Sequence, residues 1–343
     1  MRRPKLKTIL FVSKEESAPS TRYRALAYFD RLRSDGWNPV HLPAPRSLFA
    51  RLRILKAARK ADVVVLLRKT FGRGYIRLLR KYSRRLILDF DDAVFCRSNG
   101  GYSKTRRCRF ERSVSLCDGI WAGNRFLCDA AKAHHSKVFV LPTALDISKY
   151  DEESIKPDDK LVFVWIGSHS TRKYLEAELP TLEKVAERLG TIELKIVADF
   201  TLESGRLSIS AVPWSAETEA RELRSAHIGI APMPDNDWTK GKCGLKVLQY
   251  MAAGLPVIST PSGVNAEIIE NGMTGFLPRN DEEWYQVTKK LSEDPELRER
   301  LGEAGREKVC RMYSVDVVYQ EMKRSLDEIQ QASCKSERPP VIR

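Results

Sequence analysis

The run Gly241–Pro256 (GKCGLKVLQYMAAGLP) concentrates groups suited to holding a phosphate. Gly241 and Gly244 bracket Lys242 and Cys243 just ahead of a stretch that turns helical near Leu245. The first N–H groups of a helix have no internal partners and carry about half a positive charge. A glycine there lets a diphosphate or a sugar hydroxyl approach the backbone, and Lys242 adds a mobile cation. The same pattern also describes a flexible loop opening an ordinary amphipathic helix. A second cationic turn follows at Ile166–Tyr174 (IGSHSTRKY), where an apolar strand ends at Gly167 and leads into Ser168, His169, Arg172 and Lys173. Two cations beside a leaving diphosphate would stabilise the charge that grows in a transition state. Arg172 and Lys173 read equally well as solvated residues of a first helical turn.

Carboxylates cluster at Asp89-Phe90-Asp91-Asp92, again at a strand end. Asp-x-Asp in that position can hold a divalent metal on a nucleotide-sugar. Asp91 and Asp92 are also suited to orienting an acceptor hydroxyl or taking its proton, or to capping the next segment. Ser17–Arg24 (SAPSTRYR) follows the first strand, and its Arg22 and Arg24 are placed to meet a phosphate or to make surface salt bridges. None of the five histidines (His41, His134, His135, His169, His227) pairs with Cys or Glu at a metal-ligand spacing; His169 alone falls in a ligand-facing loop. The seven cysteines include no Cys-x-x-Cys, so neither a disulfide framework nor a zinc site is expected.

Strands and helices that would position these groups alternate along the chain. Lys7–Ser13, Pro39–Leu42, Asp62–Leu67, Leu86–Phe90, Gly119–Ala122 and Val138–Leu141 read as strands. Thr21–Ser34, Ser47–Lys60 (Ser47 as N-cap), Gly74–Ser83, Ser103–Ser115 and Asn124–Ala133 read as helices between them. A polar, Pro-containing stretch, 151–160, reads as a linker. A second series then runs through Leu161–Ile166, Glu193–Ala198, Arg206–Val212, Ile228–Ala231 and Pro256–Ser259 as strands. Its helices are Arg172–Leu189, Ala216–Ser225 and one near Gly244–Ala253. From Asp281 to about Gln331 the chain is helical, with breaks near Pro295 and Tyr313. Continuous apolar strands separated by helices imply parallel sheets covered on both faces, with ligands at the carboxyl ends of the strands.

The run from Gly241, continued as VISTPSGVNAEIIENGMTGFLP, resembles the C-terminal domain of retaining GT-B glycosyltransferases of family 4 (group 1). Cys243-Gly244-Leu245 matches the family's Phe-Gly-Leu. Ala252–Val257 matches its helix end, and Gly263-Val264-Asn265-Ala266-Glu267 its Gly-Gly-x-Pro-Glu. Gly167 and Lys173 match a Gly-Arg turn with a later Lys, Ser168 standing where the family has Arg. The family's two glutamates, one on the sugar and one on the ribose, fall on Gly241 and Gln249, so their contacts pass to Gln249, Asn265 or the backbone near Gly244. Leu141–Asp146 and Asp118–Phe126 match more loosely. The latter contains Asn124, which joins Arg22 and Arg24 on the acceptor side, and Asp91 falls where many relatives have a histidine. The resemblance implies an α/β GT-B fold, two Rossmann-like doubly wound domains facing across a cleft. The domains implied are 1–150 on the acceptor side, 161–313 for the nucleotide-sugar, a helix over 314–332 crossing back, and a disordered tail over 333–343. It implies transfer from a nucleotide diphosphate-sugar with retention, by same-face attack, with no cofactor and no metal, since the metal-binding Asp-x-Asp belongs to the GT-A fold. Asp91, Asp92, Lys173 and Lys242 are the catalytic candidates. With both glutamates replaced, an inactive binding subunit is a second reading; a GT-B epimerase or phosphorylase is a third.

The 343 residues carry a net charge of +14, unevenly spread. Residues 1–150 hold 33 basic and 12 acidic side chains, a net +21, whereas the remainder holds 26 and 33, a net −7. On Ser47–Lys60, Leu48, Leu52 and Leu55 share one face while Arg51, Arg53, Lys56, Arg59 and Lys60 cover the rest. Arg73, Arg77, Arg80 and Arg84 make a second stripe. Such helices suit either an anionic lipid surface or a solvated face packed on a sheet. No nucleic-acid-binding motif accompanies the charge, so nucleic acid is not an expected partner. Apolar runs are strand-sized and the basic N-terminus lacks the run of a signal peptide, which points to a cytoplasmic protein, peripheral on a membrane where lipid-linked acceptors are used.

Overall fold

The computed structural model describes residues 6–331 except 153 and 191; the expected disordered tail lies outside them. The chain divides into two compact units. One takes the chain up to Ala144, the tripeptide Gly241–Cys243 and the chain from Val315; the other takes Leu145–Lys240 and Gly244–Ser314.

In the first unit, β1 (Lys7–Ser13), β2 (Trp37–Pro43), β3 (Val63–Leu67), β4 (Leu86–Phe90), β5 (Gly119–Ala122) and β6 (Val138–Val140) form one parallel sheet in the order β2-β1-β3-β4-β5-β6. The central strands are buried along their whole length, as the uninterrupted Val and Leu of β3 require, and β4 buries Asp89 among its apolar residues. Six helices connect them: α1 (Pro19–Arg24), α2 (Phe29–Ser34), α3 (Leu48–Ala58), α4 (Arg73–Tyr82), α5 (Lys104–Leu116) and α6 (Arg125–Lys132). Side chains of Ser47, Ser103 and Asn124 cap α3, α5 and α6 by accepting a backbone N–H. The single helix expected over Thr21–Ser34 is instead broken at Ala25, followed by a 3-10 turn at Leu26–Tyr28. Arg24, Ala25 and Tyr28 are all buried there, and tertiary burial overrides local helical preference.

In the second unit, β7 (Leu161–Ile166), β8 (Ile192–Val197), β9 (Ser208–Val212), β10 (Ile228–Ile230), β11 (Val257–Ile258) and β12 (Gly275–Phe276) form a second parallel sheet, ordered β12-β11-β10-β7-β8-β9. Its helices are α7 (His169–Leu189), α8 (Glu219–Arg224), α9 (Asp237–Lys240), α10 (Leu245–Ala252), α11 (Gly263–Ile268), α12 (Asp281–Glu293) and α13 (Pro295–Tyr313). Helix α7 starts three residues earlier than its sequence pattern indicates, because Ser168 and Thr171 close a reciprocal capping box. The last helix, α14 (Val315–Gln331), belongs to the first unit: Val318, Met322, Leu326 and Ile329 share a core with Phe11, Val65 and Trp121, and the Trp121 indole donates to Ser325 Oγ at 2.8 Å. Each sheet reverses its winding once, at β1/β3 and at β7/β10. In open α/β sheets such points leave a crevice at the strand carboxyl ends.

Candidate functional site

In the first unit the crevice residues form a charged cluster. Asp89, the penultimate residue of β4, is fully buried and takes a bidentate pair from Arg24, with Nε to Oδ2 at 3.1 Å and Nη2 to Oδ1 at 2.5 Å. Arg24 Nη2 also donates to Leu141 O at 3.0 Å. Burial raises the Asp89 carboxyl to about 6, against the pull of the guanidinium. Arg24 is therefore not the exposed phosphate ligand expected from sequence. It is an internal strut, 1% exposed, because a carboxylate at the sheet centre needs a fixed counter-charge.

Beyond the strand end, Asp92 is 4% exposed and held from two sides. Arg68 Nη2 pairs with Oδ2, and Lys242 Nζ lies 3.0 Å from Oδ1. Arg68 Nε also lies 3.1 Å from Asp91 Oδ1, close enough for charge attraction but not aligned as a hydrogen bond. That oxygen is buried and accepts no hydrogen bond among the described residues. Arg68 follows β3 directly and is the one non-glycine described with a positive φ, +56°. Such a backbone costs on the order of 1–3 kcal/mol and persists where its surroundings over-determine it. Burial, and then the nearby Arg68, lower the Lys242 ammonium to about 8, against the pull of Asp91. Among the described residues no group of three or more His, Cys, Asp or Glu is arranged to hold a metal ion.

The tripeptide 241–243 is built into this unit. A side chain at Gly241 would put Cβ 2.6 Å from Ala93 Cβ and 2.7 Å from its backbone nitrogen. Asn124 Nδ2 donates to Lys242 O at 2.7 Å while its Oδ1 caps α6, and Cys243 Sγ donates to Asp91 O at 3.4 Å. Lys242 and Cys243, expected on the donor side, thus pack with the Asp91–Asp92 cluster. Asn124, expected to meet the acceptor, is 4% exposed and spends its amide on the backbone. Arg22 places its guanidinium 5.2 Å from the Tyr23 ring.

In the second unit the winding reverses between the paired strands β7 and β10, and the candidate residues gather at their carboxyl ends. Gly167 follows β7 against the Trp165 indole; an added Cβ would come within 2.2 Å of it. Ser168 caps α7, and His169 sets its ring edge-on to Phe200 at 6.4 Å. Arg172 pairs with Glu176 at 2.7 Å and lies over Phe200, and Lys173 lies over Tyr174. A cation not singled out from sequence joins them: Lys246, on α10, sits 3.6 Å from the Trp165 ring and donates to Thr171 Oγ1 at 3.3 Å. Gly244 opens α10 in a left-handed conformation, φ +65°, and Ile268 Cδ1 stands only 2.3 Å from where a Cβ would be, so the close approach here is made by the protein's own side chain. Leu245 begins the helix. Gly263 also has a positive φ, +51°, against the Thr239 and Lys240 backbone. Asn265 spends its Nδ2 on Ser259 Oγ at 3.0 Å, and Glu267 is exposed.

Gln249 is buried and donates its amide to Glu219 Oε1 at 2.7 Å; Tyr150 OH reaches the same oxygen at 3.1 Å and Trp214 Nε1 donates to Oε2 at 2.7 Å. A carboxylate thus stands beside the position where the resembled family has its ribose-binding glutamate. Sequence reading missed Glu219 and Arg68. The first is 30 residues from its partner, and the second shows only as a cation ending an apolar strand.

Residues 160–294 match the family model described as glycosyl transferases group 1. Over 150 residues, 40% of the chain, there is 31% identity to the sulfoquinovosyl transferase SQD2 of Arabidopsis thaliana; the chain spans 29% of that protein's length. Among solved structures, the sucrose-phosphate synthase of Thermosynechococcus elongatus superposes with a TM-score of 0.73 at 13% identity, covering 95% of this chain and all of the other. HepE of Anabaena, solved with UDP and glucose, gives 0.67 at 13% identity, covering 94% of this chain and all of the other. Over residues 160–294 the chain is therefore similar to glycosyl transferases group 1, and over about 95% of its length its two-sheet α/β architecture is the GT-B fold of these solved structures.

Proposed function

We propose that the chain is a glycosyltransferase that moves a sugar from a nucleotide diphosphate donor to a glycan or lipid-linked acceptor, with retention of configuration. The observation that carries this reading is the β7/β10 crevice within the matched domain. Gly167 and Gly244 let the strand end and the start of α10 pack closely on Trp165 and Ile268, while Lys173 and Lys246 supply positive charge. The diphosphate would lie against the start of α10, where unpaired N–H groups favour negative charge. The ribose would reach Gln249 and, behind it, Glu219. HepE, similar in fold, was solved with UDP-glucose, which makes the uridine series the first donors to test.

On the acceptor side, Asp91 is the stronger of the two carboxylates. Its Oδ1 faces one cation, Arg68, without an aligned hydrogen bond, whereas Asp92 is held by cations on both oxygens. An acceptor hydroxyl would be oriented by the Asp91 carboxylate after a side-chain rotation that brings an oxygen to the surface. In a same-face displacement the acceptor oxygen bonds to the anomeric carbon as the bond from that carbon to the diphosphate breaks, and the donor's own phosphate oxygen takes the acceptor proton. The net +21 of the N-terminal half supports work at an anionic membrane face, in cell-surface polysaccharide or glycolipid assembly. Gly241 and Gln249 in place of two glutamates favour a second reading, a binding subunit without turnover.

A thermal-stability panel of nucleoside diphosphates and their sugars tests the donor site. A ligand at 100 times its Kd adds about 2.7 kcal/mol. One base series should stabilise wild type and lose its effect in Lys173→Ala. Asp91→Asn should keep that stabilisation and lose roughly a hundredfold or more in turnover. Stabilisation without turnover in wild type, across acceptors, would leave the binding-subunit reading; no stabilisation by any donor would remove both.

A further inference from the structure

Helix α3 is anchored at one end only. Ile54, Leu55 and Ala58 are buried, but Leu48, Phe49 and Leu52, in its first two turns, are 72%, 79% and 57% exposed. The spacing that puts Leu48, Leu52 and Leu55 on one face suits either a lipid surface or packing on the sheet; of the three only Leu55 is covered. Three large apolar side chains in solvent on five consecutive positions form a patch rather than scattered exposure. Ser47 Oγ caps the helix at Ala50 N, so the patch rides on ordered backbone.

Its surroundings are cationic. From Gly36 to Ala61 the chain has six Lys or Arg and no Asp or Glu; among the described residues Arg46 alone of the six is ion-paired, to Glu15 at 2.6 Å. Arg51, Arg53 and Lys56 are exposed and make no ion pair among the described residues. A polyanion such as nucleic acid would use the cations and leave the leucines and phenylalanine in water. A second copy of the chain would cover the apolar patch but bring two unneutralised basic segments together. An anionic bilayer accommodates both features, with hydrocarbon for the apolar side chains and lipid phosphates for the cations.

We propose that the first two turns of α3 are a membrane-docking wedge, with Leu48, Phe49 and Leu52 entering the headgroup–acyl boundary and Arg51, Arg53 and Lys56 resting on anionic headgroups. This gives a location to the membrane reading above and rests on it, but not on the transfer chemistry. The test is co-sedimentation of the full chain with vesicles of phosphatidylcholine alone and of phosphatidylcholine with phosphatidylglycerol. Wild type binds only the anionic vesicles. Leu48→Ser, Phe49→Ser and Leu52→Ser combined should weaken that binding roughly tenfold or more while keeping the thermal midpoint, since these side chains are mostly in solvent already. Arg51→Gln, Arg53→Gln and Lys56→Gln combined should weaken it and flatten its salt dependence. Equal binding to both vesicles, or unchanged binding in the serine variant, overturns the proposal. So does absence of vesicle binding, whether or not wild type binds an oligonucleotide or self-associates through Phe49. Donor-dependent thermal stabilisation, read on the same preparations, is retained in the serine variant; its loss in wild type would count against the transferase reading instead.

Discussion

Lys242 makes a prediction whose size follows from its surroundings. It sits in a largely dehydrated cluster beside Arg68, and burial together with that like charge lowers it from 10.5 to about 8. Between those limits the unfolded chain holds a proton that the folded chain has released, so stability rises with pH across roughly 8 to 10.5 and is flat below. At about 1.4 kcal/mol per tenfold, the charged lysine costs the fold at most about 3 kcal/mol at neutral pH. Asp92 Oδ1 at 3.0 Å opposes the displacement and makes this an upper figure. The perturbation is Lys242→Met, compared with Lys242→Arg, whose guanidinium stays charged throughout. The assay is hydrogen exchange of β4 and β5 amides at a series of pH values, which reads the local unfolding free energy of the first unit. Wild type should gain on Lys242→Met between pH 8 and 10.5 by up to about 3 kcal/mol, and Lys242→Arg should show no such gain. A difference between wild type and Lys242→Met that stays constant over this range would refute the assignment of a strained, half-neutralised ammonium. A chain that keeps so costly a cation beside Asp91 and Asp92 has a use for positive charge there.

Two further outcomes test the second unit. His227 Nδ1 accepts the Val162 N–H at 3.0 Å, and burial, followed by Arg298 and Lys156, lowers the imidazole to about 4. The neutral ring's contribution is present above about 6.5 and lost as pH falls towards 4, so acid should destabilise β7 by up to about 3 kcal/mol; His227→Gln should flatten that limb, as read by thermal melts at each pH. Gly302 on α13 packs against the turn after α10, where an added Cβ would stand 2.1 Å from Gly254 O. Backbone cannot rotate aside, so Gly302→Ala should cost about 1–3 kcal/mol or more, and an unchanged melting temperature would contradict that packing.

Most of the architecture was legible because its signals are local. Uninterrupted strands such as Val63–Leu67 and Leu161–Ile166 announce a parallel sheet by composition, and Ser47 announces a helix start by side-chain chemistry. The breaks at Pro295 and Tyr313 were readable for the same reason. Strand β11 falls inside the expected Pro256–Ser259, whereas β12, two residues long, carries no periodicity and only its neighbour in the sheet makes it a strand. The broken helix at Ala25 was unreadable because its cause, the burial of Arg24 on Asp89, spans 65 residues.

The sequence by itself determined two parallel α/β sheets, the glycines at positions 167 and 244, and the strand ends where acidic and basic groups gather. These follow from side-chain volume, apolar continuity and backbone freedom, which act over a few residues. Only the tertiary structure decided which groups meet. It gave Lys242 to Asp92, Gln249 to Glu219 and Arg68 to both aspartates, turned Arg24 and Asn124 inward, and left Leu48, Phe49 and Leu52 in solvent. Charge pairing and burial depend on distances through space, and strand order sets these distances independently of separation along the chain.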